Sequence, residues 1–147
     1  MITVINIKAN SLPDGWIYIG HANPKLKLAQ SPLVNPWTLD KEADRPIVME
    51  KYKRHLWGEI KRYDSEARLE LFRLVRLARK GELYIGCYSA PKACHGDIIK
   101  AAIEWVLENG VPWARRHDNV LGVSSRRAEG SPLARPLSSI YIEAGLA

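Results

Sequence analysis

The chain is poor in cysteine: Cys87 and Cys94 are its only two. Two are too few for a disulfide framework, so the fold is expected to rest on a packed core, with both thiols reduced in a cytoplasmic setting. No run of about 18 or more apolar residues occurs, so no membrane span is expected. The first residues, Met1-Ile2-Thr3-Val4-Ile5-Asn6-Ile7-Lys8, alternate like a strand. They lack the basic start, apolar stretch and small-residue cleavage site of a signal peptide. Also missing are a Walker loop, a glycine-rich dinucleotide fingerprint and a Gly-x-Ser-x-Gly elbow. A zinc centre could draw on Cys87, Cys94, His95 and the distant His21. The spacing Cys-x6-Cys-His is not a usual zinc pattern, however, and no second close pair exists, so neither metal nor cofactor is expected.

What is present suits one domain. The length of 147 residues is enough for a real hydrophobic core, and a hydrophobic fraction of 46% is ordinary for a globular chain. The net charge of +6 favours anionic partners such as nucleotides, nucleic acid or acidic surfaces. A solvated basic surface accounts for the same balance.

Hydrophobic periodicity predicts an α/β chain. Residues 2–8 read as a strand by alternation. Leu12-Pro13-Asp14-Gly15 has turn chemistry, and Trp16 to Gly20 reads as a second strand, so the two suggest a hairpin, with a crossover as the alternative. Residues 21–40, with Pro24, Pro32 and Pro36, read as a long loop of the kind that often carries function. Asp44 as N-cap and Pro46 in the first turn open a helix over 45–61, with Ile47, Val48, Tyr52, His55, Leu56, Trp57 and Ile60 as its apolar stripe. Lys53 falls on the opposite, charged face, and Gly58 weakens the helix.

A second helix over 65–80 starts at Asp64 or Ser65. Leu69, Phe72 and Val75 lead its apolar face, Arg68 belongs to its charged decoration, and Gly81 is a plausible C-cap. Residues 83–88 are apolar on both faces and read as a buried strand, followed by a third helix over 95–109. The expected fold is a single-domain, three-layer, Rossmann-like α/β arrangement with a mainly parallel or mixed sheet. Residues 1–110 form the domain and 111–147 a basic extension containing Pro and Ser, with short strands conceivable at 119–123 and 139–142.

The strand, short loop and helix across 83–109 carry the strongest local signal. Ligands of open α/β sheets bind beyond the carboxyl ends of strands, and the first turn of a helix offers unpaired N–H groups to an anion. Cys94 stands at that helix start, a position that lowers a thiol pKa; His95 beside it is a candidate acid, base or ligand. Asp97 is a candidate cap or substrate-orienting group, Gly96 a point of close ligand approach, and Ser89 a hydroxyl donor at the strand end. The structural alternative makes Cys94 a packed small hydrophobe, Asp97 a plain cap and His95 a surface residue.

Four motifs then stand in a set order: Tyr18-Ile19-Gly20-His21; Ser31-Pro32-Leu33-Val34-Asn35-Pro36-Trp37; Arg45 through Tyr52 and Leu56; and Pro91-Lys92-Ala93-Cys94-His95-Gly96-Asp97. Together they resemble the phage and bacterial family called domain of unknown function 4326, over about residues 16–108. His21 stands where that family usually has Arg, Val34 where it has Gly, and Ser89 where it has the second cysteine of a Cys-x-Cys pair. The resemblance implies a site where Gly20 and His21, Asn35, and Cys94 and His95 converge, provided that the strands ending at Gly20 and near Ser89 are parallel neighbours. Asn35 and Arg45 would then supply donors around a polar ligand, with loop 21–40 as its lid. It implies no particular reaction.

Two functions compete on these grounds. The first is binding or processing of a small anionic ligand, a nucleotide, nucleoside or sugar phosphate, by a possible cysteine-dependent enzyme. Cys94, His95 and Asp97 would be its catalytic group, and Gly20, His21, Asn35, Arg45, Ser89 and Gly96 its ligand contacts. The second is a basic nucleic-acid-binding or protein-binding accessory protein without catalysis, its arginines on phosphates or its tryptophans on a partner.

Overall fold

Leu83–Cys87 is apolar on both faces, and such a strand belongs in the middle of a sheet. The computed structural model, which describes residues 1–110, places it there. The elements run β1 (Ile2–Asn6), β2 (Ile17–Tyr18), α1 (Arg45–Lys61), α2 (Glu66–Lys80), β3 (Leu83–Cys87) and α3 (His95–Asn109). The sheet order is β1-β3-β2, and both pairings are parallel: Ile2 faces Leu83 and Asn6 faces Cys87, while Ile17 faces Ile85 and Tyr18 faces Gly86. This is a small α/β fold with a wholly parallel sheet among the described residues. The expected extension and its two strand fragments lie outside those residues.

The expected hairpin does not form. β1 and β2 flank β3 and point the same way, so the chain between them must run back along the sheet before β2 begins. Residues 7–16 are long enough for that return, since a strand residue spans only about 3.3 Å. The turn at Pro13-Asp14-Gly15 is real, with Gly15 at φ +76°, but it redirects the returning segment instead of closing a hairpin.

The register puts Ile2, Val4, Leu83, Ile85 and Cys87 on one face, where they meet the helices. α1, α2 and α3 contact one another, and α2 and α3 also contact β3. The other face carries Thr3, Ile5, Tyr18 and Tyr84, all half-buried, and Trp16 and Ile7 close over Gly86. Two of the three expected layers are therefore present among the described residues.

The helix boundaries follow local chemistry. Ser65 Oγ accepts from the Arg68 N–H and caps α2. Asp44 makes no side-chain cap; a 3-10 turn over Glu42–Asp44 leads into α1, with Pro46 in the first turn as expected. Gly81 ends α2 in an extended conformation, not a left-handed cap, whereas Gly110 ends α3 at φ +75°. Ile47 and Leu69 are exposed, contrary to the predicted stripes, because the buried arcs of α1 and α2 centre on Tyr52, Leu56 and Ile60 and on Leu71, Phe72 and Val75. Two expected surface cations are buried. Lys53 pairs with Glu50, and Arg68 donates to the Ile60 carbonyl with its guanidinium 4.7 Å from the centre of the Phe72 ring. Trp57 and Trp105 meet edge to face at 5.6 Å and join α1 to α3 in the core.

Candidate functional site

Parallel pairing of β2 with β3 brings their carboxyl ends side by side, and α3 starts beside them. The segment joining β3 to α3 is held from two sides. Asn6 Nδ2 donates to the Ala90 carbonyl at 2.7 Å and to that of Tyr88 at 3.2 Å. Arg45 donates to the Ala93 carbonyl at 2.5 Å. Arg45 also grips Glu42 through two contacts, at 2.8 and 3.0 Å, which pulls the Glu42 carboxyl down to about 2. Its charge is thus already balanced, and it serves chiefly to fix the chain just before Cys94.

Cys94 is the N-cap of α3. Its side chain takes the backbone N–H of Asp97, and Asp97 Oδ2 returns the bond by accepting the Cys94 N–H at 3.0 Å. Asp97 is therefore the cap that one reading of the sequence anticipated. Gly96 is buried, and a Cβ there would lie 2.9 Å from Val4 Cγ1 and 3.1 Å from Ile19 Cδ1. Its small size serves close packing of α3 against the sheet, where the sequence had suggested close approach of a ligand.

The two thiols meet. Cys87 Sγ, at the end of β3, lies 3.0 Å from Cys94 Sγ, and both residues are buried. The expected direction of the Cys94 pKa is reversed. Its thiol donates to Cys87 and is desolvated, so it keeps its proton well above the ordinary range. Cys87 accepts from Cys94 and from the Ser89 and Ala90 N–H groups, which draws it down to about 6 against the cost of burial. The helix-start position of Cys94 is outweighed by the hydrogen bond it gives.

His95 is half-buried. Its Nε2 lies 2.7 Å from the carbonyl oxygen of Ile19 and donates to it, since a carbonyl can only accept. That fixes the tautomer and leaves Nδ1 as the basic nitrogen. Burial holds the imidazole below its usual pKa, outweighing the Ile19 carbonyl, which favours the cation. Tyr52 packs its ring edge on His95, centroids 5.3 Å apart, and donates its hydroxyl to the Leu33 carbonyl at 2.7 Å. Loop 21–40 is thereby pinned at Leu33, and the Ser31 N–H bond to the Gly20 carbonyl pins it again at 3.0 Å.

Two cavities flank this group. One of about 220 Å³ is lined by Tyr18, Gly20, His21, Asn23, Cys87, Tyr88, Ser89 and His95. The other, about 70 Å³, is lined by Asn35, Arg45, Ser89, Cys94 and His95 with Leu39, Val48 and Met49. Ser89 and His95 line both. Gly20, His21, Asn35, Arg45, Ser89, Cys94 and His95 thus come together, while Asp97 and Gly96 stand behind them as cap and packing contact. Sequence reasoning passed over Tyr18, Asn23, Cys87 and Tyr88 as wall residues. Position at or just beyond the carboxyl end of a strand was the signal that could have found them. Asn23 donates to the Tyr88 hydroxyl, Tyr18 and Tyr88 meet edge to face at 6.5 Å, and Lys8 Nζ sits 5.5 Å from the centre of the Tyr88 ring. A broader groove of about 500 Å³ runs along α2 past Leu69, Arg73 and Arg76, away from the strand ends.

Among the described residues no cluster of three or more His, Cys, Asp or Glu side chains is arranged to hold a metal ion, and no helix is long and apolar enough to cross a membrane. No curated protein and no solved structure matches the chain. The family described as Domain of unknown function (DUF4326) matches residues 5–105, well over half of the sequence, and the chain belongs to that family.

Proposed function

We propose that this protein binds and processes a small anionic ligand of the nucleotide, nucleoside or sugar-phosphate class in the cavity at the carboxyl ends of β2 and β3. The observation that carries the reading is the meeting of two cavities on Ser89 and His95 at that edge of a parallel sheet. Such an edge is where open α/β sheets take ligands. The larger cavity falls below the roughly 300–1,000 Å³ of sites for drug-sized molecules, which favours a ligand no larger than a single nucleotide. Tyr18 and Tyr88 offer apolar walls to a flat ring, Ser89, Asn23 and His21 offer polar contacts, and Lys8 brings positive charge over the Tyr88 ring.

In this reading His95 Nδ1 accepts a proton from the bound ligand. The nucleophilic role expected for Cys94 passes to Cys87, which borders the larger cavity and holds the lower pKa. Cys94 stores the proton beside it. A cytoplasmic setting, in a bacterium or a phage-infected host, belongs to the same proposal and agrees with two free thiols.

Nucleic-acid binding finds less support, because Arg54, Arg62, Arg73 and Lys100 pair with neighbouring acids. Thermal unfolding of the full chain with each nucleoside 5′-monophosphate in turn tests the proposal. At least one should raise the midpoint, and Ser89→Trp, which fills the junction of the cavities, should abolish the rise. No rise with any of them, or an equal rise in the variant, contradicts it. Salt-sensitive binding of duplex DNA alone would favour the accessory-protein alternative.

A further inference from the structure

Cys87 and Cys94 belong to different elements, the end of β3 and the cap of α3, yet their sulfurs are 3.0 Å apart. A disulfide bond is about 2.05 Å long, so closing the pair asks for a movement of about 1 Å. Each residue also borders a cavity: Cys87 the larger one, Cys94 the smaller. Both residues are buried, so the reagent must be as small as a peroxide, for which the cavity of about 220 Å³ beside Cys87 has room. We infer that Cys87 and Cys94 form a peroxide-reactive dithiol, with Cys87 as the attacking sulfur and Cys94 as the resolving one, and that its product is an intramolecular disulfide tying β3 to α3.

The reaction balances with hydrogen peroxide as the oxidant. The Cys87 thiolate attacks one peroxide oxygen, the O–O bond breaks, and hydroxide leaves and takes up a proton to become water. Cys87 is then a sulfenic acid. The Cys94 sulfur attacks Cys87 Sγ, the S–O bond breaks, and a second water leaves with the Cys94 proton. Two electrons pass from the thiols to the peroxide.

The direction of attack follows from the surroundings of each sulfur. Cys87 collects the Ser89 and Ala90 N–H groups and the Cys94 thiol, which lower its pKa, while Cys94 gives its hydrogen to Cys87. The resolving sulfur is already in contact, so the sulfenic acid is captured before a second peroxide arrives. The inference stands on the contact of the two sulfurs and the cavities beside their residues, and does not rest on the ligand reading.

The test is intact-mass measurement and thiol titration of the full, unfolded-on-quenching chain after treatment with a slight excess of hydrogen peroxide. The wild type should lose both titratable thiols, become lighter by two hydrogen atoms, form no disulfide between chains, and regain both thiols with dithiothreitol. Cys94→Ser should stop at a Cys87 sulfenic acid that a cyclic dione traps, and Cys87→Ser should react much more slowly at Cys94. Retention of both thiols, disulfide found only between chains, or oxygen added to each cysteine without a disulfide would overturn the inference. The wild-type measurement decides it even where a variant folds poorly.

Discussion

The imidazole of His95 donates from Nε2 to the carbonyl oxygen of Ile19 at 2.7 Å, tying the first turn of α3 to the chain leaving β2. This bond selects the ring tautomer, and Tyr52 closes over the same ring from α1. Loop, sheet and two helices therefore converge on one side chain, which also stands between the two cavities.

Stability should depend on pH through this histidine. Burial favours the neutral ring in the folded chain, so the folded pKa lies below the unfolded value of about 6.5. Between those two values the unfolded chain binds the extra proton, and stability rises with pH. The contribution is complete above about 6.5 and is lost as pH falls through the folded value. Denaturant titrations of the wild type and His95→Gln between pH 5 and 7 should show a steeper acid loss in the wild type. Parallel curves would remove the assignment of a half-buried, neutral His95.

Two glycines should respond to alanine with opposite signs. At Gly96 the new Cβ meets Val4 at 2.9 Å and Cys94 Sγ at 3.2 Å, and such overpacking costs about 1–3 kcal/mol. At Gly58, inside α1, nothing lies within 4 Å, and the helix gains about 1 kcal/mol. Urea midpoints should fall for Gly96→Ala and rise for Gly58→Ala.

Tyr52→Phe keeps the core packing but removes the only donor that the described residues give to the buried Leu33 carbonyl. Leaving such a group unpaired costs about 1–3 kcal/mol. The loss should appear in the urea midpoint, and hydrogen exchange should quicken over residues 31–37 more than over α2. A loss spread evenly over the chain would show that this bond does not anchor the loop.

Much of the fold was legible. The bounds of α3 follow from an apolar period that begins after a turn and ends at Asn109-Gly110, and β3 stands out because it is apolar on both faces. The hairpin was misread because turn chemistry at Pro13-Asp14-Gly15 reports a change of direction and not which strands pair. Arg68 was read as a surface cation because a sequence cannot show the Phe72 ring and Ile60 carbonyl that receive it. The meeting place of the motifs was legible, since motifs far apart in sequence come together once β2 and β3 pair in parallel. The state of the thiols was not, since it depends on a contact between Cys87 and Cys94 that only the folded chain makes.

The central claim is that a nucleotide-like anion occupies the cavity between Tyr18, Tyr88, Ser89 and His95. Titration of the isotope-labelled chain with nucleoside 5′-monophosphates, followed by backbone-amide and imidazole NMR shifts, tests it most directly. Saturable shifts confined to Gly20–Asn23, Tyr88, Ser89 and the His95 ring are the predicted result. No saturable shift there with any of these nucleotides, or shifts gathered instead along Leu69, Arg73 and Arg76, would contradict the account.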